Sequence, residues 1–505
     1  MGRSFSKLAV GKLEHLKAWF DELIKLGIKH GYYVNQSKSW LIIKDEKLLQ
    51  KAKDIFAGTE VQFTTEGKRH LGACVGSQKF KHQYCTDLVA KWCKEVEHLA
   101  EIAKFHPHSA YSGYVHSYQH KYTYYFRTIP GFEEYVKPLD DILTYVFLPT
   151  LFGGPISTVE RELVALPTRF GGLNVHIPSI KAPRDFAASQ TITEKLVNVI
   201  KAQGDCVPDD SNQLISLIKQ SNEDFYNKQV ECIKRRVSPA VKRAIEVSNE
   251  KGSSSWLIAL PIEAQGFVLN KTEFTDGLNL RYHRELRGLP PTCACGAKFD
   301  ITHALNCKRG GFIHMRHDNL RDLNIKLLAK VQNDVQKEPP LQPIPNSVAT
   351  HMRGNTSQEA RLDIRARGFW RNTQNAFFDV RVTNPFCATS MKHSLARVCD
   401  NHEREKKNEY NNRVINVEGG TFTPLVYTVF GTVGKECDKF YKHLCQKIAN
   451  KCNEKYDDII NWVRCKVSFL CLKSCIMCLR GTRVKPNDVY ISDDFALDIN
   501  NANLN

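Results

Sequence analysis

The chain has 505 residues, 42% of them apolar, and 71 Lys and Arg against 54 Asp and Glu give it a formal charge of +17. That length and apolar content allow about two to four domains with real cores and exclude a disordered chain, while the surplus of positive charge favours a polyanionic partner, nucleic acid ahead of an anionic membrane surface. No apolar run reaches the roughly 18 residues needed to span a bilayer, and 17 cysteines without a secretory signal fit reduced thiols in an intracellular protein, nuclear or cytoplasmic, better than a disulfide scaffold.

In chain order, Met1-Gly-Arg-Ser-Phe-Ser6 fits the loose N-myristoylation pattern, which is short enough to arise by chance. Leu13, Leu16, Phe20 and Leu23 keep helical spacing up to Gly27. Tyr32 to Val34 and Trp40 to Ile43 then read as strands about the polar turn Asn35 to Lys38, and Asp45 to Phe56 reads as a second helix. Gly67 to Gly72 is a short strand ending in a tight glycine turn, which completes a small α+β unit. Helical spacing returns at Tyr84, Leu88, Trp92, Val96, Leu99 and Ala103. From Tyr111 to Phe126 aromatics interleave with His116, His120 and Lys121, and Arg127 follows directly. Such a mixture suits base stacking with Lys121 and Arg127 on phosphates, and it equally suits a helical core filled by rings. From about 180 to 285 mostly helical patterns, broken by Gly204, Pro208 and Gly252 to Ser255, carry no legible chemistry.

Cys293-Ala-Cys-Gly296 precedes His303-Ala-Leu-Asn-Cys307. The tight first pair suits a knuckle turn, and His303 and Cys307, four apart in a helical stretch, share one face. Four soft ligands at this spacing fit tetrahedral, structural zinc; the alternative is two buried cysteines and a loop histidine. Lys308, Arg309, Arg316 and Arg321 nearby are candidates for phosphate contact, and His314 or His317 could stand in as a zinc ligand.

Arg361-Leu-Asp-Ile-Arg365 and Phe377-Phe-Asp-Val-Arg-Val382 alternate apolar with polar residues, so each reads as a strand, with Gly368 to Asn375 as the hairpin turn. Strand parity puts Arg361, Asp363 and Arg365 on one face and Leu362 and Ile364 on the other, and groups Asp379 with Arg381. Pairing would join the two carboxylates and a guanidinium on a polar face backed by Phe378, Val380 and Val382. Such a face can hold a divalent cation such as magnesium, or it can be an ordinary exposed surface of cross-strand Asp and Arg pairs. The helix His402-Glu-Arg-Glu-Lys-Lys-Asn-Glu-Tyr410 offers Lys406, Lys407 and Tyr410, or else a solvated charged face. Phe422 to Phe430 reads as a further strand ending at Gly431. Cys471, Cys475 and Cys478 fall on one side of an apolar helix that also bears Cys465 and reads as core, and after Gly481 the tail is polar.

The wording Glu359-Ala-Arg-Leu-Asp363, Ala366-Arg-Gly-Phe-Trp370 and Phe377-Phe-Asp-Val-Arg-Val-Thr-Asn-Pro385 resembles the restriction-like (PD-(D/E)xK) endonuclease at the C-terminus of certain non-LTR (LINE-type) retrotransposon proteins. The Cys-Cys-His-Cys order of the knuckle is similar to the one that precedes that nuclease. Gly31-Tyr-Tyr-Val-Asn-Gln-Ser-Lys-Ser-Trp40 and His70-Leu-Gly72 resemble the end of a reverse transcriptase palm, and Leu166-Pro-Thr-Arg-Phe-Gly-Gly-Leu173 is close to a phrase that follows the thumb.

The resemblance implies a multidomain α+β chain: a palm remnant over 1–80, a thumb-like helical region over 81–180, a helical connector over 181–285, a zinc knuckle over 286–322, a restriction-like endonuclease with a mixed sheet over 323–481 and a polar tail over 482–505. It makes Asp363 and Asp379 the acids that bind catalytic Mg2+, beside a structural Zn2+ on Cys293, Cys295, His303 and Cys307. Leu362 stands where the family has Pro, and Arg381 stands where it has Lys. A guanidinium stays protonated to above about pH 12 and cannot act as a base, although it can orient a phosphate. Some relatives draw the Lys from the following helix, which brings in Lys406 or Lys407 with Tyr410 nearby.

In that family the nuclease nicks chromosomal DNA and the freed 3′-hydroxyl primes reverse transcription, so the expected partners are double-stranded target DNA and element RNA, and no membrane. The aromatic-x-Asp-Asp hairpin of the polymerase is not in the chain. Tyr456-Asp-Asp-Ile459 opens a helical pattern, and Asp140-Asp141 and Asp493-Asp494 lack strand context, so no nucleotide addition is expected. The rival expectations are a nucleic-acid-binding protein whose nuclease has decayed at Arg381 and a non-functional fragment of a mobile element.

Overall fold

The computed structural model describes residues 8–202, 204, 211–344 and 354–483. The Met1 to Ser6 pattern, Pro208, Asp493-Asp494 and nearly all of the polar tail lie outside the described residues. Among the described residues helices dominate and the strands form three small sheets, and the chain divides into two compact units. No described helix is long and apolar enough to cross a membrane.

The first unit comprises residues 1–99, 116–147 and 176–221. Its helix Leu13–Lys29 buries Phe20 against Phe56 and Val61, the apolar stripe that the spacing requires. Tyr32 to Val34 is not a strand. The Tyr32 amide bonds back to the Gly27 carbonyl at 2.8 Å and the Asn35 side chain caps the turn Gln36–Lys38, so local polar partners replace a ladder. Strand β1 (Trp40–Ile42) pairs in parallel with β2 (Gln62–Thr64), and β3 (Gly67–His70) forms a hairpin with β4 (Ala73–Gly76). The hairpin turns on Leu71 and Gly72, both with positive φ, as a two-residue hairpin loop requires. Beyond it, Trp92 packs its ring on those of Tyr122, Tyr125 and Phe132 at 4.7, 5.2 and 5.7 Å. Those aromatics therefore build a helical core. The border expected at 180 falls inside the continuous helix Pro178–Lys201.

The second unit comprises residues 100–115, 148–175 and 222–505. Its helical part includes Pro239–Asn249 and Lys271–Arg281, the latter opened by a capping box of Asn270 and Glu273. Its C-terminal part is a four-stranded mixed sheet in the order β5 (Val335–Lys337), β6 (Ile364–Arg367), β7 (Asn375–Thr383), β8 (Thr421–Thr428). β5, β6 and β7 are antiparallel neighbours, and β8 joins β7 in parallel. A parallel neighbour needs a crossover, and the helix Leu395–Asn416 supplies it.

Both faces of this sheet are covered. Ile364, Phe378, Val380 and Leu425 pack with Leu320 and Leu327 of the helix Phe312–Ala329 and with the helices Lys435–Cys452 and Tyr456–Arg480. Leu362, Phe377 and Phe422 pack with Tyr410 and Val414 of the crossover helix. Burial on both faces explains why β7, after Asn375, carries the apolar run Ala376-Phe-Phe378 in place of strict alternation. Cys471, Cys475 and Cys478 are core residues of the last helix, each no more than 1% exposed.

One expected strand is displaced. The ladder of β6 begins at Ile364 and not at Arg361, and Leu362 and Ile364 fall in clusters on opposite faces of the sheet. The chain bends at Asp363, opposite Glu338 with its φ of 48°, so simple parity fails at this end of the strand.

Candidate functional site

The bend at the start of β6 is where the acidic residues converge. If the ladder continued, the N–H and C=O of Val380 on β7 would pair with the backbone of the neighbouring strand. They are satisfied by side chains instead: the Val380 amide donates to Asp363 Oδ2 at 2.6 Å, and His317 Nε2 lies 3.1 Å from that same oxygen and 3.1 Å from the Val380 carbonyl. Asp379, the preceding residue of β7, is 7% exposed and turns toward the crossover helix, where Lys406 Nζ sits 3.0 Å from its Oδ2. Beyond that ion pair, Asp379 Oδ2 accepts no directed hydrogen bond among the described residues.

The electrostatics follow from this crowding. Burial, reinforced by the neighbouring charge of Asp363, pushes the Asp379 carboxyl up to about 6, and Lys406 and His317 offset only part of that. Burial pulls the His317 imidazolium down, but Asp363 and Asp318 outweigh it and hold it at about 9. Burial likewise opposes the Lys406 charge, and Asp379 and Glu409 reverse the balance, keeping its ammonium above the ordinary range. Tyr410, one turn on, is pushed up to about 12 by burial and by the charge of Asp379; its ring lies 5.3 Å from Lys406 Nζ. The two carboxylates are therefore electrostatic neighbours, one of them buried without full satisfaction.

Of the other candidates, Arg381 shares the parity of Asp379 and is exposed, with no side-chain hydrogen bond or ion pair among the described residues. Lys407 is elsewhere, paired with Glu436 at 3.0 Å. Arg365 does not join Asp363 but pairs with Asp334 at 3.0 Å. His317, one of the two histidines offered as a stand-in ligand for the knuckle, lies against Asp363 instead. No local spacing links positions 46 apart, so only its place beside Asp318 on an amphipathic stretch hinted at a polar role.

The knuckle assembles as its spacing predicts. Cys293, Cys295, His303 and Cys307 each present a ligand atom, all within 4.8 Å of one another. The Gly296 amide bonds to the Cys293 carbonyl at 2.8 Å with Gly296 at a φ of 87°, a turn that brings the first two thiols together. Asp300 caps the short helix Ile301–Ala304 through the His303 amide at 2.7 Å, and the Cys307 amide reaches back to the His303 carbonyl at 2.8 Å. This three-sulfur, one-nitrogen set could bind a metal such as zinc, with no protein-free position left for chemistry.

The basic residues separate into two groups. Lys308 and Arg309 are exposed, and so is Arg127. Arg316 and Arg321 are each 5% exposed and are not available for phosphates: Arg316 donates to the Leu305 carbonyl at 3.2 Å, and Arg321 pairs with Asp318 at 2.9 Å, with Asp322 at 3.0 Å and with Glu338. Burial against these internal partners overrides the expected surface role, although Arg316 Nε finds no partner among the described residues. In the first unit Lys121 pairs with Glu95 at 3.0 Å and covers the Tyr118 ring at 4.5 Å. It also lines an open cleft of about 470 Å3 with Arg69, Lys91, Trp92 and Tyr124.

Compared with models of protein families and with curated proteins, the chain matches neither.

Proposed function

We propose that this chain is the DNA-nicking endonuclease and nucleic-acid-binding portion of a non-LTR retrotransposon reverse transcriptase protein, without nucleotide-adding chemistry within the chain. The observation that carries the reading is the convergence of Asp363 and Asp379 at one end of β6 and β7 with Lys406 delivered onto Asp379 by the crossover helix. That is the acid, acid and lysine set of the restriction-like nucleases, with the lysine drawn from the helix and Arg381 left in its usual strand position.

In this reading Asp363 and Asp379 hold Mg2+, which when bound supplies charge neutralisation and an activated water at a phosphodiester. Lys406, kept protonated, orients the attacking water and the developing charge through its ammonium and does not act as the base. Arg381 is free to grip the scissile phosphate. Tyr410 remains neutral, with its ring 5.3 Å from Lys406 Nζ. The zinc knuckle braces the region ahead of the nuclease, and Lys308 and Arg309 contact backbone phosphates of the target DNA. The basic, aromatic-lined cleft around Lys121 is suited to single-stranded nucleic acid such as the element RNA.

Incubation of the purified chain with supercoiled plasmid and Mg2+ tests the proposal. Wild type converts the plasmid to open circles and Asp379→Ala does not; equal nicking by both removes the assignment. Salt-sensitive binding without metal-dependent cleavage would mark a nucleic-acid-binding protein whose nuclease has decayed.

A further inference from the structure

We propose that His317 is a positioning residue that selects which oxygen of Asp363 faces the metal, an inference that rests on the nuclease reading of that site. The argument is one of donors and acceptors. The Val380 carbonyl can only accept, and Asp363 Oδ2 already accepts the Val380 amide, so the His317 nitrogen that lies 3.1 Å from each is the donor. His317 Nε2 therefore cannot ligate a metal or act as a base where it stands. With the Val380 amide also donating at 2.6 Å, Asp363 Oδ2 is saturated by two N–H groups, and Oδ1 is left as the ligand atom. A carboxylate gripped by one oxygen keeps the other in a fixed direction, which is how partners behind a metal ligand tune affinity.

The histidine is itself held firmly. The adjacent Arg316 donates to the Leu305 carbonyl between the knuckle ligands His303 and Cys307. Two turns further along the same helix, buried Asn324 donates to the Tyr427 hydroxyl at 2.9 Å and accepts from the Tyr441 hydroxyl at 2.8 Å. The helix Phe312–Ala329 thus presents His317 to Asp363 from a frame anchored to both the knuckle and the sheet.

The test measures Mn2+ affinity of the zinc-loaded full chain by electron paramagnetic resonance, with plasmid nicking as a function of Mg2+ in parallel. His317→Leu, similar in bulk and without a donor, is expected to weaken Mn2+ binding about 10–100-fold and to raise the Mg2+ concentration for half-maximal nicking. His317→Gln, whose amide nitrogen reaches the same place, is expected to recover most of the loss. If His317→Leu does not fold, His317→Asn, too short to reach Asp363, carries the same expectation. Unchanged Mn2+ affinity in the Leu or Asn variant overturns the proposal, as does a wild type that binds no Mn2+. A wild type that binds Mn2+ and does not nick DNA sinks the nuclease reading alone, since the affinity difference between variants is read without cleavage.

Discussion

Asp379 and Lys406 meet at 3.0 Å across the packing between β7 and the crossover helix, and each is more than four-fifths removed from solvent. A lysine that close to a nearly buried carboxylate is not an incidental surface pair. Its neighbour Lys407 points to Glu436 and is 40% exposed.

Lys406→Ala is therefore expected to lower the single-turnover nicking rate about 100-fold or more, in the range of removing one electrostatic group from a transition state. Lys407→Ala should leave that rate within about threefold, since an exposed pair is worth little. Plasmid relaxation under enzyme excess measures both, and an equal loss in the two variants would refute the distinction.

The Asp379 carboxyl also predicts a stability effect of definite sign. Its folded value of about 6 lies above the usual carboxylate range, so the folded state holds an extra proton between about pH 4 and 6 and loses relative stability as pH rises through that window. Asp379→Asn, neutral at every pH, should raise the thermal midpoint of the metal-free protein at pH 7.5, by about 1–3 kcal/mol in free energy, and flatten the profile over that window. Calorimetry at pH 5 and pH 7.5 checks it; a lower midpoint for Asp379→Asn at pH 7.5 would contradict it.

His108 predicts the opposite slope. It is 2% exposed, stacked on Phe274 at 5.2 Å, and its Nδ1 accepts the Leu269 amide at 3.2 Å, so burial pulls its imidazolium down to about 4. The unfolded chain takes up that proton near pH 6.5, so the stability is fully present above about pH 6.5 and is lost as pH falls toward 4, by up to about 3 kcal/mol. His108→Asn, which keeps an acceptor at the Nδ1 position, should remove most of this dependence in urea titrations between pH 7 and 4.5.

The knuckle predicts one tightly held metal per chain. Cobalt(II) in place of zinc should give the visible absorption of a tetrahedral thiolate site, and Cys307→Ser should weaken it. Chelation should lower the thermal midpoint, because a closed four-ligand site contributes folding free energy. Metal content unchanged in Cys307→Ser would exclude the four-residue site.

The arginines after the knuckle should separate from the exposed cations. Arg316→Ala leaves the buried Leu305 carbonyl without its donor and should cost about 1–3 kcal/mol of stability with no change in the salt dependence of DNA binding. Lys308→Ala and Arg309→Ala should each reduce the slope of log affinity against log salt by about 1 while leaving stability unaltered.

What the sequence determined by itself is what short stretches of chain decide alone. The knuckle was legible because its four ligands span 15 positions, from Cys293 to Cys307, and a turn and one helical step bring them together. The strands around Asp379 and Phe422 and the helix carrying Lys406 were legible because side-chain periodicity is a property of the local backbone. Tyr32 to Val34 misled for the same reason, since its apolar content resembles a strand while its amides are taken by the end of the preceding helix.

Tertiary structure alone decided which charged groups meet. Lys406 and Lys407 are neighbours in sequence, and only the packing of the crossover helix on β7 and β8 turned the first toward Asp379 and the second toward Glu436. Arg316 and Arg321 look like surface cations until the sheet and the knuckle close over them. His317 and Asp363, 46 residues apart, are joined because the ladder of β6 begins only after the bend at Asp363 and leaves the backbone of Val380 to be satisfied by side chains. The physical reason is common to all three: burial makes an unpaired polar group costly, and which partner is in reach is a matter of how the elements pack.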